Sequence, residues 1–218
     1  MNIAICIRGI HYRDIPEHKV DFRNYYQNYF DNIIIPLKKI GFNVHLFGFT
    51  YESDQLEELQ LTYNFAKLSI IDYKLSDNKF EYINSSCNRQ LLFHLNTIKT
   101  IEEYEKEHAI QFHYVINTRF DLYFKTNILT HNIHMLKFNI AFKHLSGNCD
   151  DNYWIYPRFL QNKFKQACET MLKNNSSTHT MNSNIPSENI NYMHTTSELE
   201  KTDEERYKYF RFGREKRF

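Results

Sequence analysis

The chain has 218 residues, of which 42% are hydrophobic and 16% aromatic, and a formal net charge of +1. A chain of this length buries about 70% of the surface its unfolded form exposes, so neither a disulfide nor a metal is needed for folding, and its apolar content excludes a disordered chain. The near-zero charge argues against a dedicated nucleic-acid binder, and no apolar run approaches the roughly 18 residues of a membrane span.

Asn2 to Ile7 is an apolar, β-branched run and predicts a buried strand that ends at Arg8-Gly9. From Phe22 to Ile40 large apolar residues recur at three- and four-residue spacing. They predict a helix with a break at Pro36 and a stop at Gly41. Val44 to Phe49 predicts a second strand, Ser53 to Phe65 a polar helix and Leu68 to Ile71 a third strand. Residues 73–84 are polar and irregular, with Asp77-Asn78 as a loop pair. Ser85 or Ser86 caps a long helix to about His108. Phe112 to Ile116 predicts a fourth strand. This alternation predicts an α/β fold: a mostly parallel central sheet with helices on both faces. In the second half, Phe138 to Phe142 and Tyr153 to Tyr156 predict short strands, and Arg158 to Lys173 a helix. The Asn/Ser-rich stretch that follows predicts a surface loop, and Ser187 a short helix through Met193. The basic, aromatic end from Arg206 to Phe218 predicts a solvated terminus. No repeat or domain boundary emerges, so one domain over 1–218 is expected.

The four cysteines stand at 6, 87, 149 and 168 without a CxxC pair, which predicts free thiols in a reducing compartment. The start Met1-Asn2-Ile3-Ala4 lacks the basic head and small-residue cleavage site of a signal peptide, and a cytoplasmic location is expected.

Three segments carry chemistry. The first is Tyr114 to Leu122, where a buried strand delivers Arg119 and Asp121 at its carboxyl end. Ligands bind at that edge of open α/β sheets. A carboxylate there can hold a divalent ion and an arginine can hold phosphate; a plain surface ion pair has equal weight. The second is Cys149 to Pro157, where Asp150 and Asp151 precede an aromatic run with the single tryptophan. Repulsion between neighbouring carboxylates raises one pKa and makes a general base, and Tyr153 and Trp154 offer faces to sugar rings. The plainer reading, a capped and solvated turn, is favoured two to one on spacing alone. The third is Arg8-Gly9 with Arg13, where glycine admits a ligand and two arginines offer phosphate contacts, or where a tight turn carries solvated arginines. The eleven histidines do not cluster at metal spacing, although His179 could add one ligand.

These segments, in this order, resemble a family of small nucleotide-sugar glycosyltransferases of bacterial surface-glycan clusters and large DNA viruses. Their fold is of the GT-A type, a single Rossmann-like α/β domain. Ile3 to Gly9 with Arg13 looks like the family's opening strand, and Ser86 to Asn96, with Arg89-Gln90, like the helix before its motif. Arg119-Phe120-Asp121 resembles the family's R-x-D, which stands where other such enzymes carry D-x-D. Asp150-Asp151 before Trp154-Ile155-Tyr156-Pro157 resembles its acidic pair, and His179 with Ile190 to Met193 its closing segments.

The resemblance implies transfer of a sugar from a nucleotide-diphosphate sugar, with UDP as one candidate nucleotide, to a hydroxyl of a glycan or glycoconjugate, with inversion. Asp151 or Asp150 would be the base. Arg8, Gly9, Arg13, Arg89, Gln90 and Arg119 would hold the donor, and Trp154 and Tyr153 the acceptor. Asp121 and His179 would bind Mn²⁺ or Mg²⁺; with arginine at the motif's first position, either metal binding is weak or arginine replaces part of the ion's charge. Residues 1–125 would form the donor half and 126–218 the acceptor half. The alternative is a non-catalytic nucleotide-sugar or glycan-binding domain of the same fold. A nucleotidyltransferase ranks third, because its metals need two close carboxylates. The abundance of Asn, Ile, Lys and Tyr fits an AT-rich genome, so a viral protein in a host cytoplasm is one expected setting.

Overall fold

The computed structural model describes residues 1–14, 19–71, 86–143, 147–194 and 209–211. Asn2–Arg8 forms β1, a run of β-branched and small residues buried on both faces. A short ribbon, β2 (Tyr12–Arg13) against β3 (Val20–Asp21), follows it. The helix expected from Phe22 to Ile40 is divided: α1 (Arg23–Tyr29), a π turn (Phe30–Ile34) and α2 (Ile35–Lys39). Pro36 explains the break. It has no N–H to donate and its ring crowds the carbonyl four residues back, so the turn before it widens, and the Ile35 N–H bonds Phe30 O, five residues back. Gly41 ends the segment at φ +92°.

β4 (Asn43–Tyr51), α3 (Leu56–Tyr63) and β5 (Lys67–Ile71) follow. The irregular segment expected over 73–84, with Asp77 and Asn78, lies outside the described residues. Helix α4 (Ser86–His108) and strand β6 (Phe112–Arg119) come next; β6 runs three residues beyond the predicted end, so Arg119 is its last residue. The remainder comprises β7 (Leu122–Phe124), β8 (Phe138–Ile140), β9 (Trp154–Pro157), α5 (Gln161–Lys173), β10 (Ile190–Tyr192) and β11 (Tyr209–Arg211).

Among the described residues, seven strands form one sheet in the order β10-β8-β9-β6-β1-β4-β5. β6, β1, β4 and β5 run parallel, β9 is antiparallel to both neighbours, and β10 is parallel to β8. The α/β expectation therefore holds: a mostly parallel central sheet flanked by helices. Side chains alternate across it. Ile3, Ile5 and Ile7 pack with Tyr29, Ile33 and Tyr63 under α1 to α3. Ala4, Cys6, Phe47 and Val115 pack with Leu91, Ile98 and Phe164 under α4 and α5.

Three local expectations change. The segment after Ser187 is one 3-10 turn (Ser187–Asn189) and then strand β10, because Ile190 and Tyr192 continue the sheet beside β8. The Asn/Ser-rich stretch is no simple surface loop, since Thr178–Ser183 forms a 3-10 helix that buries Thr178 and Met181. The C-terminal segment is not wholly a solvated tail: β11 pairs antiparallel with β7, directly after the Arg119-Phe120-Asp121 stretch.

Candidate functional site

The strand order changes direction between β1 and β6, with β4 following on one side and β6 starting the other. That switch point is where an open α/β sheet leaves a crevice at its carboxyl edge. β1 ends in Arg8 and β6 in Arg119, and the two are register partners. By strand alternation both continue the face of Cys6 and Asn117, beneath α4. α4 begins at this edge, with Arg89 and Gln90 in its first turns and the positive end of its dipole toward the crevice.

Arg119 is nearly buried and grips Asp121 with two bonds, Nε to Oδ1 at 2.7 Å and Nη2 to Oδ2 at 3.0 Å. Burial opposes its charge, but Asp121, Asp151 and Asp150 outweigh that and raise its pKa. Tyr29 sets its main chain: the phenol donates to the Arg119 carbonyl and lies 3.0 Å from Thr118 Oγ1. Arg8 is 2% exposed, and its Nη2 donates to the Asp151 carbonyl at 2.5 Å.

The two adjacent acids have different work. Asp150 closes its own turn, accepting from Asn152 Nδ2 at 2.8 Å and the Asn152 N–H at 3.1 Å, while its carbonyl accepts from the Trp154 indole at 2.7 Å. Asp151 is 4% exposed and bonds outside its own turn. Thr178 Oγ1 donates to its Oδ2 at 2.9 Å, and His179 Nε2 stands 3.7 Å from the same atom. The raised pKa expected for one of the pair is not found in Asp151. Burial raises it, but His179, Arg8, Arg119 and the Thr178 hydroxyl together hold the carboxyl below its ordinary value. His179 Nδ1 lies 3.0 Å from the Cys149 carbonyl, which can only accept, so Nδ1 carries a proton and donates there. Thr178 also reaches Gln90 Oε1 at 3.5 Å, tying α4 to this loop.

The other expected residues fall elsewhere. Gly9 turns the chain at φ +101°, and its carbonyl accepts from Thr50 Oγ1. Because Thr50 donates there, it accepts from His11 Nδ1 at 2.6 Å, and His11 Nε2 accepts from Ser53 Oγ at 2.8 Å. Burial lowers the pKa of His11 to about 4. Arg13 lies on the β2–β3 ribbon. Trp154 and Tyr153 are corrected as an acceptor platform: they are 1% and 0% exposed and point into opposite cores. β9 lies between β6 and β8, and its side chains enter the cores on both faces of the sheet, so its aromatic run is core.

Residues unforeseen in the sequence complete the site. Thr178 was hidden in a polar stretch. His94 lies one turn below Gln90, an i,i+4 spacing that puts both on one helix face. It is fully buried, stacks on Trp154 at 4.6 Å, and neither ring nitrogen has a hydrogen-bond partner among the described residues. Burial, then the charges of Arg8 and Arg119, push its pKa well down, so the ring is neutral.

Among the described residues, no three His, Cys, Asp or Glu side chains converge as cation ligands. Both Asp121 oxygens engage Arg119, and His179 Nε2 faces Asp151. Among the same residues, no helix is long and apolar enough to cross a membrane. The chain matches no protein-family model and no curated protein.

Proposed function

We propose that the chain is a glycosyltransferase that moves a sugar from a nucleotide-diphosphate sugar to a glycan or glycoconjugate hydroxyl. The observation that carries this reading is the convergence of Arg8, Arg119 and Asp151 from three separate segments at the sheet's switch point. The resemblance at Arg119-Phe120-Asp121 and Asp150-Asp151 supports it.

In the transfer, the bond between the anomeric carbon and the diphosphate oxygen breaks, and its electron pair leaves with the phosphate. The acceptor oxygen bonds the same carbon, and its proton passes to Asp151. Arg119, with Arg8 behind it, opposes the charge that grows on the departing diphosphate. Asp151 is ionised at neutral pH and can take the proton, and His179 Nε2, 3.7 Å away on a side chain 43% exposed, gives that proton an outlet. Attack from the side opposite the leaving group inverts the anomeric carbon.

The experiment is a melting screen with UDP, GDP, CMP, dTDP and their sugars, followed by a transfer assay. A nucleotide that raises the melting temperature in wild type but not in Arg119→Ala supports the donor site. Asp151→Asn should still bind that nucleotide and lose transfer. The lowered pKa of Asp151 also favours a second reading, since a carboxylate held this way is a weak base: a binding domain of the same fold. That reading requires Asp151→Asn to leave every measured property of the bound nucleotide unchanged and wild type to release no nucleoside diphosphate from any donor.

A further inference from the structure

The clamp between Arg119 and Asp121 has a consequence for how the site carries charge. A divalent ion held by two carboxylates presents no net charge, and neither does a guanidinium held by one carboxylate. In this chain the guanidinium is already there. Its Nε and Nη2 occupy both oxygens of Asp121 at 2.7 and 3.0 Å, on side chains 11% and 9% exposed. A cation approaching Asp121 would have to displace this bidentate pair and then sit against a second positive charge in a poorly solvated place.

Arg119 is also built in like a fixed ion. Tyr29 holds its carbonyl, and Asp121 orients the fork. Planar guanidinium geometry matches phosphate as well as carboxylate, and the orientation leaves Nη1 outside the Asp121 clamp. Below it, His94 is a neutral imidazole whose ring nitrogens have no hydrogen-bond partner among the described residues.

We propose that Arg119 does the work of a divalent cation in this site: it holds the phosphate of a nucleoside diphosphate directly, and Asp121 is the positioning residue that aims it rather than a metal ligand. This rests on the donor-site reading above. The test is calorimetric titration of the whole chain with UDP, GDP and dTDP in turn, in EDTA and in excess Mn²⁺. The expected result is a dissociation constant that agrees within about twofold between the two conditions for the nucleotide that binds. Arg119→Gln should weaken that nucleotide at least about tenfold in EDTA, the size of a lost charge-assisted contact. Asp121→Asn should weaken it less and leave it equally indifferent to Mn²⁺, whereas loss of a metal ligand would abolish a Mn²⁺-dependent gain. Binding in wild type that requires Mn²⁺ overturns this inference and leaves the donor-site reading standing. Absence of binding to every nucleotide under both conditions overturns both. The wild-type comparison needs no variant, so a misfolded Arg119→Gln chain leaves the test intact.

Discussion

The Arg8 guanidinium donates to the main-chain carbonyl of Asp151 at 2.5 Å, across 143 positions of sequence. One buried cation thereby fixes the end of β1 to the loop that carries the acid, and the acid's side chain is left to bond Thr178. Replacing Arg8 with Met keeps much of the apolar stem and removes the donor. The Asp151 carbonyl then loses a buried partner, and the chain should lose about 2 kcal/mol in urea unfolding. A variant within about 0.5 kcal/mol of wild type would show that the loop is held by other contacts.

Asp151 gives the site an acid limit. Its folded pKa lies below the ordinary 3.8, so its ionised form stabilises the fold at any pH above that value. The contribution disappears as pH falls through the folded value. Asp151→Asn should therefore be less stable than wild type at pH 7, by about 1–3 kcal/mol, and the gap should close as pH falls through the folded value. Unfolding curves at several pH values check this, and a gap that stays constant from neutral to strongly acid pH would refute the ionised, stabilising carboxylate. For transfer, the same direction means that activity persists down to mildly acid pH instead of failing near neutrality.

Much of the frame was legible because it is written in apolar runs. Ile3, Ile5 and Ile7 announce a covered strand, and the point where that run stops puts Arg8 and Gly9 at the ligand edge. Arg119 is reached by the same logic, although the strand runs three residues further than its apolar core suggests. Partnerships were not legible. Asp150 and Asp151 are identical in type and adjacent in sequence, and only the fold shows that one closes a turn on Asn152 while the other meets Thr178. Thr178 was obscured because an Asn/Ser-rich composition reads as loop, yet Met181 anchors that segment in the core. The π turn before Pro36 was foreseen as a break, and its geometry follows from the missing N–H.

His94 should make the protein sensitive to mild acid. The folded chain keeps it neutral beside Arg8 and Arg119, while the unfolded chain takes up a proton below its ordinary value of 6.5. A group whose folded pKa is lowered this way costs stability as pH falls through the unfolded value, at about 1.4 kcal/mol per pH unit. His11, also held neutral, adds to the same trend in wild type, so the comparison that isolates His94 is the difference from His94→Phe. That ring keeps the stack on Trp154 and has no proton to refuse. The variant should match wild type near pH 7.5 and gain on it steadily toward pH 5. Parallel stability profiles for the two proteins would mean that His94 charges freely in the folded state.

Trp154 is the chain's single tryptophan, so its fluorescence reports one place. The indole is 1% exposed, donates to the Asp150 carbonyl at 2.7 Å and stacks on His94. Such a ring is shielded from solvent collisions, whereas a sugar-binding platform must present its face to water before the sugar arrives. Native protein should therefore resist acrylamide quenching, and urea should make quenching rise together with the loss of helix signal. Trp154→Phe removes both the packing volume and the bond to Asp150, so it should destabilise the fold by a few kcal/mol, on the order of other large aromatic truncations. Strong quenching in the native state would return Trp154 to the surface and with it the platform role. A protected indole instead directs the search for acceptor contacts to side chains that border the crevice and remain partly exposed, His179 first among them.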